Sequence, residues 1–152
     1  MSFIKTHMDP YSLTEEQVKF YNQNGYLHLK GVFPKEDIDI VRQDMDSFAN
    51  SRYTIYLDMH HYKSLKQIHR GKRMCDIADA LVGGDRAIPI GSTAFFCKPN
   101  NPLELGSTWH QDNYAGRSPP GSYLNIALAV DDADPSNGSL MVIPGSHKLG
   151  DL

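Results

Sequence analysis

His110 and Asp112 stand two residues apart, in a short aromatic stretch between two segments that read as strand. On extended backbone, side chains at i and i+2 share a face. An imidazole and a carboxylate on one face supply two of the three ligands of the 2-His-1-carboxylate facial triad. That site holds Fe(II) and leaves positions open for a cosubstrate and dioxygen. The spacing is common, and by itself a hydrogen-bonded surface histidine beside a turn-forming aspartate explains it better. Other chemistry is sparsely supplied. The adjacent His60 and His61 would face opposite sides of a strand, His69 lies in a basic stretch, and solvated roles fit all three. Cys75 and Cys97 are too few and too far apart for a CxxC redox motif, a cysteine-ligated zinc site or a disulfide framework. Ser139 and Ser146 have no base at a recognisable spacing, so nucleophilic catalysis is unsupported.

The elements that must position the pair follow from periodicity. Thr14 and Gln17 form a capping-box pattern, with Leu13 and Val18 placed as a hydrophobic staple, and Asn24-Gly25 ends the helix. Tyr26 to Lys30 alternates and predicts a half-buried strand. Pro34 opens a second helix with Ile38, Val41, Met45 and Phe48 on one face, leaving Glu36, Asp37, Asp39 and Asp44 as a solvated acidic face. Residues 51–62 are ambiguous, with a candidate strand at Tyr53 to Leu57. A third helical stretch lies between Tyr62 and Val82, ends at Gly83-Gly84 and carries the basic Lys63, Lys66, Arg70, Lys72 and Arg73. Beyond it, Ile88 to Cys97, Tyr123 to Val130 and Ser139 to Ile143 read as strands separated by Pro- and Asn-rich turns. The first dozen residues read as an untethered lead-in. Helices up to residue 84 and short strands over 85–152 predict a single mainly β domain with N-terminal helices (α+β), of the sandwich or jelly-roll kind. The strands are too few to close a barrel, so the chain reads as stopping in mid-domain.

Three stretches together resemble a known family. They are Trp109-His110-Gln111-Asp112-Asn113-Tyr114, then Asp131-Asp132-Ala133-Asp134, then Asn137-Gly138-Ser139-Leu140-Met141-Val142-Ile143-Pro144-Gly145-Ser146-His147. In this order they resemble the phytanoyl-CoA dioxygenase-like Fe(II)/2-oxoglutarate oxygenases. Leu13 to Gln17, Asn24-Gly25-Tyr26 and Lys98-Pro99 are similar to the family's pattern too, so the resemblance covers nearly the whole chain. It implies an incomplete double-stranded β-helix (cupin-like) core, of which this is the N-terminal part. It implies Fe(II) as metal, 2-oxoglutarate as cosubstrate, and His110 and Asp112 as metal ligands and catalytic residues. Gln111, Asn125, Ala127 and Phe96 would lie near 2-oxoglutarate, and Asn113, Tyr114 and Arg117 near the primary substrate. The reaction implied is hydroxylation of an unactivated carbon of a small organic substrate, coupled to oxidation of 2-oxoglutarate to succinate and carbon dioxide. Related halogenases carry Ala or Gly in place of the carboxylate, so Asp112 favours hydroxylation. The family's second His ligand and its 2-oxoglutarate-binding Arg are expected past Leu152, and this chain alone is expected to be inactive. His147 would hold its turn in place rather than bind metal, and Trp109 reads as core or pocket wall. The alternative is a non-catalytic fragment or interaction protein that completes its sheet with a partner.

Composition bounds these readings. The 152 residues are 40% hydrophobic and 22% charged, which suits a folded domain. A net charge of -3 without a basic stripe argues against nucleic acid. The longest apolar run, Leu124 to Val130, is broken by Asn125 and too short to span a bilayer, and the N-terminus has no signal-like run. The expectation is a soluble cytoplasmic protein that takes a small-molecule substrate and dioxygen, with exposed sheet edges open to homo-oligomer pairing.

Overall fold

The structure is a computed structural model that describes residues 3–46, 54–56, 63–83, 93–95, 109–112, 123–137 and 139–150. Helix α1 spans Glu15–Asn24 and forms the capping box its sequence predicts: Thr14 Oγ1 accepts from Gln17 N–H at 3.2 Å, and Gln17 Oε1 accepts from Thr14 N–H at 2.8 Å. It ends where Gly25 turns left-handed at φ 79°. Helix α2, Lys35–Asp46, starts directly after Pro34, whose carbonyl accepts the Asp37 and Ile38 amides at 3.1 and 3.2 Å.

The single helical stretch expected between residues 62 and 82 is two helices, α3 (Lys63–Arg70) and α4 (Lys72–Val82). Gly71 separates them for a steric reason. A Cβ there would lie 2.6 Å from both the Gln67 and His7 carbonyl oxygens. The N-terminal segment passes so close that only glycine fits, and His7 O accepts the Arg73 amide of α4 at 3.2 Å.

The core explains that close passage. Ile4, Phe33, Val41 and Ile68 form its buried centre, with Ile38, Leu65, Leu128 and Val130 packed around them. Ile4 is completely buried, so the opening residues are not an untethered lead-in. Their anchor is Asp37, which the acidic-face reading assigned to solvent but which is 1% exposed. Its carboxylate accepts from Lys5 N–H and Thr6 N–H at 3.0 Å each, and from the Thr6 hydroxyl at 2.8 Å. Periodicity places Asp37 beside Ile38 and Val41 on the helix. It carries no information about a distant backbone that arrives with unpaired amides.

Among the described residues the only sheet is one antiparallel pair. Strands β1 (Thr54–Tyr56) and β2 (Thr93–Phe95) pair with Ile55 opposite Ala94. The mainly β architecture with an incomplete double-stranded β-helix (jelly-roll, cupin-like) core is therefore corrected: the regular structure of the described residues is mainly helical. Tyr26 to Lys30, Tyr123 to Val130 and Ser139 to Ile143 belong to no strand. The physical reason is visible in Leu128 and Val130, which pack on the helical core. Apolar alternation reports which side of a segment meets a core; it does not supply the hydrogen-bonded neighbour that makes a strand.

Arg42 fastens this segment to α2. Its guanidinium pairs with Asp39 one turn back at 2.5 Å and with Asp131 at 2.8 Å, and it donates to the Val130 carbonyl. Asp131 first, then Asp39, raises the Arg42 pKa against the effect of burial. Because these pairs are partly exposed, salt screens them. Arg42→Ala is expected to leave the melting transition nearly in place while speeding amide hydrogen exchange at residues 128–131. Unchanged exchange there would show that Leu128 and Val130 alone hold the segment.

Candidate functional site

The site forms where three distant stretches meet. The first is the end of α1. Gly145, itself left-handed at φ 80°, donates its N–H to the Asn24 carbonyl at 2.8 Å. This fastens the Pro144-Gly145-Ser146-His147 turn, continued as a 3-10 helix over Ser146–Lys148, to the helix terminus. The His147 ring lies over Gly25, with Nε2 3.2 Å from the Asn22 carbonyl, to which it donates. His147 thus ties two chain segments together. Behind the turn, Phe20 and Tyr26 meet edge to face at 5.4 Å.

The second stretch, Trp109 to Gln111, and the third, Met141 to Ile143 with Ser146, complete a cleft of about 190 Å³ against Asn24, Gly25 and Tyr26. It is smaller than a typical organic-ligand pocket of ~300–1,000 Å³. His110 sits at this cleft, half exposed, and its Nε2 lies 3.2 Å from Asp112 Oδ1. Asp112 Oδ2 accepts a hydrogen bond from the Asn125 amide. Asn125 therefore occupies one carboxylate oxygen and leaves the other turned toward the imidazole.

The expected site residues divide accordingly. His110, Asp112 and Gln111 share one four-residue stretch, with His110 and Gln111 in the cleft wall. Asn125 touches Asp112, so it contacts the candidate ligand itself. Ala127 is exposed and does not line the cleft. Phe96, Asn113, Tyr114 and Arg117 lie outside the described residues. Trp109 is pocket wall and 62% exposed, rather than core. The contribution of Asn24, Gly25 and Tyr26 to this wall was not legible in their spacing. Its only trace in the sequence is that N-G-Y and P-G-S-H both belong to the family pattern.

The pair fits a metal ion in part. Two donors bound cis to one octahedral ion at about 2.1 Å each lie about 3 Å apart. The observed 3.2 Å between His110 Nε2 and Asp112 Oδ1 is close to that bite. An outer-shell amide on the second oxygen is the usual way a ligating carboxylate is oriented. Among the described residues no third His, Cys, Asp or Glu joins them.

The profile of the phytanoyl-CoA dioxygenase (PhyH) family matches residues 21–152, most of the chain and all of this site. The chain belongs to the phytanoyl-CoA dioxygenase family. Three curated proteins are similar to it. It is 24% identical over 154 residues to an ectoine dioxygenase of Stutzerimonas stutzeri (strain A1501), covering 90% of this chain and 51% of that protein. It is 24% identical over 187 residues to phytanoyl-CoA dioxygenase 1 of Oryza sativa subsp. japonica, covering 91% and 66%. A probable alpha-ketoglutarate-dependent hypophosphite dioxygenase of Stutzerimonas stutzeri is 21% identical over 156 residues, covering 88% and 53%. The chain thus spans about half to two thirds of the length of these curated relatives. No solved structure gives a significant match. Among the described residues no helix of this family member is long and apolar enough to cross a membrane.

Proposed function

We propose that this chain carries the His-x-Asp half of the metal centre of a non-haem Fe(II)/2-oxoglutarate-dependent dioxygenase that hydroxylates a small organic substrate. The observation that carries the reading is the His110–Asp112 pair, 3.2 Å apart beside a cleft walled by the family's own motifs. His110 Nε2 and Asp112 Oδ1 would hold the ion. When bound, Fe(II) would supply activation of dioxygen and oxidation of 2-oxoglutarate. The chain's own share is positional. Asn125 holds Asp112 by its outer oxygen, and Gln111 presents an amide to the cleft. Met141, Val142 and Ile143 give one wall an apolar surface for a carbon-bearing substrate.

Co(II) titration of the full chain, followed by its absorption spectrum, tests the centre. The unmodified chain is expected to bind one ion. His110→Ala and Asp112→Ala should each weaken binding by more than the ~10–100-fold that loss of an outer-shell partner costs. His28→Ala, at an exposed histidine, should change nothing. Equal binding by all four proteins would reject the assignment. It would favour the second reading, an interaction protein, for which the observation is the exposure of Leu140 (80%) and Leu149 (70%).

A further inference from the structure

Helix α3 has the sequence Lys63-Ser64-Leu65-Lys66-Gln67-Ile68-His69-Arg70 and contains no acidic residue. Ser64 and Ile68 are buried against the core. Helical spacing then collects Lys63, Lys66, Gln67 and Arg70 on the opposite face. Like charges three and four residues apart repel, so such a stripe weakens the helix unless something neutralises it. On α4 the neighbouring cations are neutralised: Lys72 pairs with Asp76 at 2.6 Å and Arg73 with Asp9 at 3.3 Å. Among the described residues Lys63, Lys66 and Arg70 meet no carboxylate.

These side chains line a groove. Its wall is α3 on one side and His7 and Met8 of the N-terminal segment on the other, with a volume of about 340 Å³. The groove shares no residue with the cleft at His110. Its surface is mostly apolar, and no carboxylate lines it. The wall is braced. Gln67 Oε1 accepts from Ile4 N–H at 3.1 Å, His7 Nδ1 donates to the Ile4 carbonyl at 2.6 Å, and the His7 ring meets Phe3 edge to face at 5.2 Å. Lys63 rests its ammonium over the Phe3 ring at 5.8 Å.

We propose that this groove binds a small phosphate ester. Lys66 and Arg70 would take the phosphate, with Lys63 supplying longer-range attraction, and the organic part would lie along Met8. The cations concentrate positive charge in a protein whose net charge is -3, which selects an anion. An apolar groove surface distinguishes an ester from inorganic phosphate, which would leave that surface wet. The site does not depend on the oxygenase reading.

Phenyl phosphate and inorganic phosphate serve as probes, titrated into the full chain and followed by amide chemical shifts of residues 63–70. Phenyl phosphate is expected to saturate, about tenfold tighter than inorganic phosphate because its ring covers apolar surface. Lys66→Ala and Arg70→Ala should each weaken it about tenfold, the scale of one charge-assisted contact. Both residues are exposed, so the variants keep the core intact. Lys19→Ala, an exposed cation on α1, should leave affinity unchanged. No saturable shift, equal affinity for the two anions, or equal weakening by Lys19→Ala would overturn the proposal.

Discussion

Gly25→Ala is expected to destabilise the protein by about 2–4 kcal/mol, from two sources that add. The backbone at residue 25 is left-handed, with φ 79°. A Cβ there meets the following carbonyl, at about 1–2 kcal/mol. The second source is specific to this fold: the new methyl would enter the His147 ring, whose Cγ would lie 2.7 Å from it. That ring cannot retreat without giving up its bond to the Asn22 carbonyl. Urea denaturation measures the loss, and a double-mutant cycle assigns it. In a His147→Ala background the overlap is gone, so only the backbone part should remain. If Gly25→Ala costs the same with and without His147, the ring does not press on residue 25.

The second large effect belongs to Asp37. Asp37→Ala removes three hydrogen bonds to a charged acceptor and leaves two backbone amides and a hydroxyl to find new partners, at a cost of about 3 kcal/mol. The loss also frees the segment that carries Ile4 into the core, so protection of the Ile4 and Thr6 amides should fall with stability. Acidity tests the same contact without changing shape. Burial alone would raise the Asp37 carboxyl, but the bonds from Lys5 N–H, the Thr6 hydroxyl and Thr6 N–H outweigh it and hold the pKa below the ordinary range. A depressed folded pKa means the contribution is complete above the unfolded carboxylate value of about 3.9 and disappears as pH falls through the folded value. Asp37→Asn should therefore be less stable than the parent at pH 7, with the gap narrowing below about pH 4. A gap constant with pH would show that charge at Asp37 contributes nothing.

Local chemistry in this chain was legible, and long-range chemistry was not. The Thr14–Gln17 box and the Gly25 stop follow from residues within a turn of one another, and both form. Asp37 was misread because its partners, Lys5 and Thr6, lie 32 and 31 residues away. The close contact at Gly71 was missed partly for the same reason: of the two carbonyls that forbid a side chain there, Gln67's is local and His7's belongs to the distant N-terminal segment. Alternation over Tyr123 to Val130 predicted one apolar face in a sheet, yet only Leu128 and Val130 of that face rest on the helical core, and Ile126 is exposed. At the candidate site, His110 and Asp112 stood out through the motifs around them rather than through their spacing, and the contact of Asn125 with Asp112 was not foreseen. The Asn24-to-Tyr26 wall could not be derived from any window of sequence.

The bond between His147 and Asn22 spans 125 residues of chain, which sets an order in time. A ribosome adds roughly 5–20 residues per second, so α1 waits about 6–25 s after its own synthesis for the turn that closes over it. In the last part of that interval His110 and Asp112 already exist, while the Met141–Ile143 wall beside them does not. The terminus of α1 is left for other partners to cover, and a nascent chain stalled between Asp112 and Gly145 would hold the His110–Asp112 pair without its cleft.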